Sequence, residues 1–130
     1  MTTVLAVDLG SASGRVLAGT LTDGRLEVTD IHRFKHEARR REDGTLTWDV
    51  ATMEAETING LTKALEQFPD ARAVSIDTWG VDWAPLDEDG RLVGDVIAYR
   101  DERTSRTLDA FRERIADREF FDLTGNQPAT

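Results

Sequence analysis

The sequence contains no cysteine and no long run of apolar residues. Without cysteine it can form neither a disulfide framework nor a zinc site built on thiolates. No apolar stretch is long enough to span a membrane, and the first residues lack the basic and then apolar pattern of a secretory signal. These absences favour the cytoplasm as the location of the protein.

Positive charge is also scarce, since 16 Lys and Arg residues face 25 Asp and Glu residues and leave a net charge of -9. Such a chain repels nucleic acid and anionic membranes at long range, so we expect neither as a partner. The one basic run, Arg39-Arg40-Arg41, is flanked by acidic residues and predicts a solvated loop. Apolar residues make up 39% of the 130 residues, enough for the core of one domain or of part of one.

Helix and strand signals follow the chain in a clear order. Residues 4–9, residues 14–21 and Arg25–Phe34 predict three antiparallel strands in series, with a bulge near Asp30 where the apolar alternation changes phase. A short extended segment over Thr45–Val50 follows. Three antiparallel strands before the first helix exclude a Rossmann unit, because that unit alternates parallel strands with helices.

Asp49 predicts the N-cap of a helix that ends near Phe68, before Pro69. Its expected buried stripe is Ile58, Leu61, Leu65 and Phe68. Ala71–Ile76 predicts a further strand, which ends at the carboxylate of Asp77.

The last third of the chain predicts a hairpin and two helices. Val81–Leu86 and Leu92–Tyr99 have the pattern of paired strands around a Gly90 turn. Thr104 predicts the cap of a helix whose inner face is Leu108, Phe111 and Ile115. Asp117–Thr124 predicts a short helix that ends at Gly125.

The first stretch with chemical potential follows the N-terminal strand. The apolar run Val4–Val7 predicts a strand buried on both faces, and it ends in the carboxylate of Asp8. The chain then turns through Gly10-Ser11-Ala12-Ser13-Gly14 and returns at Arg15. Gly10 and Gly14 allow positive φ and let the backbone approach a ligand closely.

These residue types suit a phosphate with its metal ion. Backbone amides and the hydroxyls of Ser11 and Ser13 can surround an anion, and the guanidinium of Arg15 suits phosphate oxygens. Asp8 would act on a phosphate through a hydrated Mg²⁺. The alternative is a tight hairpin whose Asp and Ser side chains only cap the turn.

The second stretch is Asp77-Thr78-Trp79-Gly80-Val81-Asp82-Trp83. Carboxylates beside flat aromatic faces suit a sugar, whose hydroxyls donate to the acids and whose C–H faces pack on the rings. Alternatively, Trp79 and Trp83 belong to the core and Asp82 caps a turn.

The third stretch is Tyr99-Arg100-Asp101-Glu102-Arg103-Thr104, directly before a predicted helix. Arg100 and Arg103 either hold a ligand or pair with Asp101 and Glu102. His32 and His36 are interpreted as structural, because their placement indicates neither a metal site nor a triad. The serines have no histidine partner, so a nucleophilic serine is not expected.

Read together, these stretches resemble the N-terminal part of the FGGY carbohydrate kinases, most closely the members that phosphorylate L-rhamnulose. The resemblance rests on an ordered set of segments: Ala6–Arg15, Ile31–Phe34, Leu46–Asp49, Ile76–Asp82 and Tyr99–Thr104. It implies an α/β, actin-like (ribonuclease-H-like) ATPase fold, here a mixed sheet with three leading antiparallel strands. Residues 1–130 would be an incomplete N-terminal domain.

The resemblance also implies a function. A kinase of this family transfers the γ-phosphate of ATP to a sugar hydroxyl, here a hydroxyl of a ketose such as L-rhamnulose, with Mg²⁺. The residues carried over are, for ATP phosphates, Gly10, Ser11, Ala12, Ser13, Gly14 and Arg15; for the metal, Asp8; and for the sugar, Gly80, Trp79, Asp82, Tyr99 and Arg100.

The catalytic base of the family lies in a downstream His-Asp pair that no stretch here matches. We therefore expect no catalytic residue in this chain and no activity from it alone. The alternatives are a kinase of the same family for another sugar and a non-catalytic actin-like nucleotide-binding or assembly module. An incomplete domain also predicts self-association beside Ala71–Ile76.

Overall fold

The computed structural model describes residues 1–128; Ala129 and Thr130, the end of the expected domain, lie outside the described residues. Seven strands and three helices occur in this part of the chain: β1 Thr2–Leu9, β2 Ser13–Thr22, β3 Arg25–Lys35, β4 Arg39–Arg40, β5 Leu46–Trp48, α1 Val50–Gln67, β6 Val74–Thr78, β7 Val96–Ile97, α2 Arg103–Arg112 and α3 Asp117–Thr124.

The main sheet has the strand order β3-β2-β1-β6. β1, β2 and β3 are antiparallel neighbours, whereas β6 pairs with β1 in parallel. The mixed sheet with three leading antiparallel strands is thus confirmed. Ile31 is the extra residue of a bulge in β3, because Val16 pairs with His32 and Leu17 with Asp30; this confirms the bulge expected near Asp30.

The expectation that β1 is buried on both faces is wrong. Leu5 and Val7 are 4% and 1% exposed in the core beneath α1, but Val4 on the opposite face is 40% exposed. Within residues 1–128, α1 packs against one face of the sheet and nothing comparable covers the other. The continuous apolar run in the sequence therefore overstates the burial of β1 here.

Helix α1 begins after Asp49, whose Oδ1 accepts a hydrogen bond from the backbone N–H of Thr52 at 3.0 Å. The expected stripe is only partly right. Leu61 and Phe68 pack against the core, but Ile58 is 56% and Leu65 49% exposed.

The buried stripe of α1 consists of smaller residues: Met53, Thr57, Gly60 and Ala64. A Cβ on Gly60 would lie 2.5 Å from Cγ2 of Val16, so the helix backbone lies directly on β2 at this point. This close approach rotates the larger residues Ile58 and Leu65 toward the flank of the helix.

The hairpin expected over residues 81–99 is right only near its turn. Leu86 and Leu92 form an antiparallel bridge, and the N–H of Val93 donates to the carbonyl of Pro85 at 2.9 Å, but the predicted strands do not pair beyond this point. β7 pairs instead with β5 in a second sheet of order β4-β5-β7. A second core lies under this sheet, and its buried members are Phe34, Trp48, Met53, Val96 and Ala98.

The basic run lies partly in β4 rather than in a loop, but its side chains are exposed and used locally. Arg39 pairs with Asp49 at 2.8 Å and Arg41 pairs with Asp95. Arg40 donates to the backbone oxygen of Gly44 at 2.7 Å.

Two helices close the described chain. Glu102, not Thr104, precedes α2, because the turn before it is held by Asp101. The expected inner face is half-buried, and Phe111 meets Phe120 of α3 edge-on at 5.3 Å. α3 has the expected bounds, and Gly125 ends it with φ of 71°. Across residues 1–128, no helix combines the length and apolarity that crossing a bilayer requires.

Candidate active site

The carboxyl ends of β1 and β6 bring two carboxylates together. Asp8 and Asp77 are register partners in the parallel pair, so their side chains lie on one face of the sheet. Arg15 is the register partner of Asp8 on β2, and its Nε donates to Asp8 Oδ2 at 2.9 Å. The side chains of Arg15 and Asp8 are 40% and 42% exposed, so this group is open to a ligand.

The turn between β1 and β2 is compact. The N–H of Gly10 donates to the carbonyl of Ser13 at 3.0 Å, and the N–H of His36 donates to the carbonyl of Ala12 at 3.3 Å. Ala12 and Ser13 are exposed and Ser11 is half-buried, so the turn can be reached from solvent.

Neither Gly10 nor Gly14 uses the positive φ that glycine allows, since neither residue is in the left-handed region. Gly14 has a different reason to be glycine: a Cβ there would lie 2.2 Å from Cζ of Phe34. The ring of Phe34 thus supports the turn from below, and the absence of a side chain at residue 14 permits it.

The residues after β6 build an aromatic wall. The rings of Trp48 and Trp79 lie 5.0 Å apart, and both indole N–H groups donate to Oδ2 of Asp82, that of Trp48 at 2.8 Å. The other carboxylate oxygen, Oδ1, is buried and has no protein hydrogen-bond partner. Trp79 therefore packs against the second core, as the alternative interpretation held, but Asp82 fixes two tryptophans rather than capping a turn.

His36 connects this wall to the turn. The residue is 8% exposed, its ring stacks on Trp79 with centroids 5.6 Å apart, and its backbone N–H donates to the carbonyl of Ala12. Burial lowers the pKa of His36, so the ring is neutral near pH 7. Its packing agrees with the structural role inferred from the sequence.

A pocket of about 490 Å³ opens beside the wall. It is lined by Val81, Asp82, Trp83, Ala98, Tyr99, Arg103 and Thr104. Two of the expected sugar residues, Asp82 and Tyr99, line it. Trp79 and Gly80 do not line it, although Trp79 donates its indole N–H to Asp82 and Gly80 precedes the lining residue Val81.

Arg100 is exposed; its Nε donates to Tyr99 Oη at 2.8 Å and its guanidinium lies 5.2 Å from the centre of that ring. The alternative that Arg100 and Arg103 pair with Asp101 and Glu102 is wrong, because no such ion pair forms within residues 1–128. Asp101 is buried and accepts instead from the N–H groups of Leu46 at 2.8 Å and Arg103 at 2.9 Å.

The turn and the wall are neighbours, because Trp79 directly follows β6 and its N–H donates to the carbonyl of Leu9 at 3.2 Å. The carboxylate group and the pocket therefore share the same end of the sheet. Sequence reasoning placed Trp83 and Arg103 in stretches suited to a ligand but did not include them among the sugar residues, and it interpreted Thr104 as a helix cap. Charge density before α2 was a signal for Arg103, whereas nothing local distinguished an exposed Trp83 from a buried one.

The donor set at Asp8 and Asp77 fits a magnesium ion that keeps several waters and shares a phosphate. Mg²⁺ is held in such sites by one or two carboxylates together with phosphate oxygens. In the described part of the chain, no group of three or more His, Asp or Glu side chains is placed to hold a metal by itself. The arrangement thus suits a phosphate-bound ion rather than a site made only of protein ligands.

Residues 3–130 match the N-terminal domain of the FGGY family of carbohydrate kinases. The chain belongs to this family. It is 36% identical over 122 residues to a rhamnulokinase of Bacillus subtilis (strain 168), covering 94% of this chain and 25% of that protein. It is 40% identical over 125 residues to a rhamnulokinase of Klebsiella pneumoniae (strain 342), covering 95% of this chain and 25% of that protein.

Solved structures of the family have the same fold. A xylulose kinase from Rhodospirillum rubrum superimposes with a TM-score of 0.73 at 20% identity, covering 98% of this chain and 26% of that one. A ligand-bound xylulose kinase from Lactobacillus acidophilus superimposes with a TM-score of 0.74 at 12% identity, covering 94% and 24%. The fold is that of the actin-like ATPases, and the chain spans about a quarter of the length of the relatives it matches.

Proposed function

We propose that this chain carries the phosphate turn and one wall of the sugar pocket of an ATP-dependent rhamnulokinase. The reaction is transfer of the γ-phosphate of ATP to a hydroxyl of L-rhamnulose. The observation that carries the proposal is that an open carboxylate–guanidinium group and an aromatic-lined pocket lie at the same end of the main sheet. The hydrogen bond from the N–H of Trp79 to the carbonyl of Leu9 connects the segments that carry them. The names of the relatives that are 36% to 40% identical support the choice of sugar.

Phosphate oxygens would be held by the turn. Its backbone amides and the hydroxyls of Ser11 and Ser13 supply donors, and Arg15 supplies a planar cation. The Arg15–Asp8 ion pair is partly exposed and therefore weak. The free-energy cost of moving the Arg15 guanidinium from Asp8 to a phosphate is therefore small.

Asp8 and Asp77 would hold the Mg²⁺ that accompanies ATP, directly or through its waters. When bound, the ion supplies neutralisation of charge on the transferred phosphoryl group. The protein positions the two carboxylates beside the turn, because the register of β1 and β6 fixes both residues there.

Five residues would contact the sugar, as the family resemblance implies: Gly80, Trp79, Asp82, Tyr99 and Arg100. Oδ2 of Asp82 is already used by two indoles, which leaves Oδ1 as the acceptor for a sugar hydroxyl. Oδ1 has no protein hydrogen-bond partner, so a hydroxyl that reaches it after a movement of the Asp82 side chain would gain a charge-assisted hydrogen bond.

We assign no catalytic base to these 130 residues and expect no turnover by this chain alone. A cytoplasmic location follows from the use of ATP and agrees with the absence of cysteine.

The test is a phosphorylation assay on the whole gene product with a panel of ketoses and polyols, each with MgATP. L-rhamnulose should give the highest kcat/KM, and Arg15→Ala should lower kcat without unfolding the protein. A preference for another sugar would reassign the substrate within the family. No phosphoryl transfer to any sugar would favour the non-catalytic module.

A further inference from the structure

Trp83 differs from the other two tryptophans of the chain. Trp48 and Trp79 pack on each other and direct their N–H groups to Asp82, whereas the side chain of Trp83 lines the pocket and the residue is 67% exposed. An exposed indole leaves a large apolar face in water. A ligand that covers this face removes it from water, which favours binding in the pocket.

Arg103 lies over the ring of Trp83, with its guanidinium carbon 5.9 Å from the ring centre. It forms no ion pair within residues 1–128, so its N–H groups remain available as donors. The aromatic face and the donors thus meet in one wall of the pocket.

The backbone of Arg103, in the wall that it forms with Trp83, is held in place by Asp101. One carboxylate oxygen of Asp101 accepts from the N–H of Arg103 at 2.9 Å, and the other accepts from the N–H of Leu46 on β5 at 2.8 Å. Asp101 is buried, so the first residue of α2 is fixed to the second sheet. Arg103 therefore starts from a fixed backbone position rather than from a loose loop.

We infer that Trp83 and Arg103 form the outer wall of the sugar pocket and select its ligand. Trp83 packs on the C–H face of the ketose, and Arg103 donates hydrogen bonds to hydroxyls at the edge of the same ring. This inference rests on the proposed function, and it adds two ligand-contacting residues that the family resemblance did not supply. The polar partners across the pocket, Asp82 and Tyr99, account for the remaining hydroxyls.

The experiment is a titration of the whole gene product with L-rhamnulose, followed by calorimetry and by tryptophan fluorescence. Trp83→Leu should weaken binding about tenfold, which corresponds to about 1.4 kcal/mol, because the flat indole face that packs on the sugar is lost. Trp83→Phe should restore most of the affinity. Arg103→Gln should weaken binding severalfold and should reduce the preference for the ketose over its deoxygenated analogues.

Phe121→Leu is the matched control, since Phe121 is 45% exposed and lies outside this pocket. Thermal unfolding of each variant shows whether the fold is kept. Asp82→Asn reports on the proposed sugar site independently of the outer wall.

The outcomes separate the two proposals. If Asp82→Asn weakens binding while Trp83→Leu and Arg103→Gln do not, the inference is wrong and the proposed site stands. If wild type binds no ketose at millimolar concentration, or if all three substitutions leave binding unchanged, both are wrong. If Trp83→Leu changes only the association state of the chain, Trp83 is a protein contact and the inference is wrong.

Discussion

Asp8 and Asp77 lie side by side at the ends of two parallel strands, although the four strands β2 to β5 and helix α1 separate them in the sequence. Their neighbour on the other side is Arg15, which pairs with Asp8 at 2.9 Å. Strand order, and not local sequence, therefore assembles the charged group at the phosphate turn.

Asp8→Asn should separate binding from stability. The Asp8–Arg15 pair is partly exposed, so its loss should change the free energy of unfolding by less than about 1 kcal/mol. The Mg²⁺-dependent part of ATP binding should fall, because one carboxylate near the ion is lost. Urea unfolding and calorimetry with and without Mg²⁺ measure the two effects. ATP affinity that depends on Mg²⁺ as strongly in the variant as in wild type would remove Asp8 from the metal site.

Gly14→Ala should destabilise the chain by about 1–3 kcal/mol, as overpacking in a filled core does. The added Cβ would lie 2.2 Å from Cζ of Phe34. Gly19→Ala on the same strand is the control, since its Cβ would meet Leu26 Cδ1 at an ordinary 3.4 Å. Urea midpoints compare the two variants, and equal midpoints would show that the turn does not depend on the Phe34 contact.

These glycines also show what the sequence could and could not predict. Alternation of apolar residues and the N-cap Asp49 are local signals, and they predicted the three leading strands and α1. The burial of Gly60 in place of Ile58 and Leu65 depends on how closely α1 lies on β2. The local hairpin pattern over residues 81–99 predicted the turn and the bridge between Leu86 and Leu92. It did not predict the pairing of β7 with β5, because that contact is distant in sequence.

The candidate site was predictable to a similar extent. The open turn between β1 and β2, the carboxylate of Asp82 and the ring of Tyr99 were each visible as residue types beside predicted strand ends. The position of Asp77 next to Asp8 required the parallel pairing of β6 with β1. The free face of Trp83 required knowing that Trp48 and Trp79 share Asp82.

Asp101 should make stability depend on pH on the acid side. Hydrogen bonds from the N–H groups of Leu46 and Arg103 lower the pKa of Asp101 below its usual value. A carboxyl whose pKa is lower in the folded state stabilises the fold above the unfolded pKa of about 4 and loses that effect as the pH falls through the folded value. Asp101→Asn should therefore be less stable than wild type at pH 6, and this difference should shrink toward pH 3.

Urea unfolding from pH 3 to pH 6 measures the dependence on Asp101. Glu54→Gln, at an exposed position of α1, serves as the control and should follow wild type. If the free energy of unfolding of Asp101→Asn differed from that of wild type by the same amount at every pH in this range, the role given to the two N–H donors would be contradicted.

The outer edge of β6 should support self-association, as expected from the sequence. β6 is the last strand of the described sheet, and Val74 and Ile76 are 55% and 59% exposed. Light scattering at increasing concentration should show dimers or larger species, and salt should favour them because the chain carries a net charge of -9. Ile76→Lys should reduce association.

Ala55→Lys adds the same charge at an exposed position of α1 and should leave association unchanged. Monomers at every concentration and salt level, or equal effects of the two lysines, would exclude pairing through β6.

The account depends most on the turn between β1 and β2 as a binding site for the phosphates of MgATP. The direct measurement is a ¹H–¹⁵N correlation spectrum of the chain titrated with MgATP. The account predicts shifts at the amides of Gly10 to Gly14 that require Mg²⁺ and are lost in Asp8→Asn. MgATP that shifts amides elsewhere while leaving this turn unchanged would contradict it.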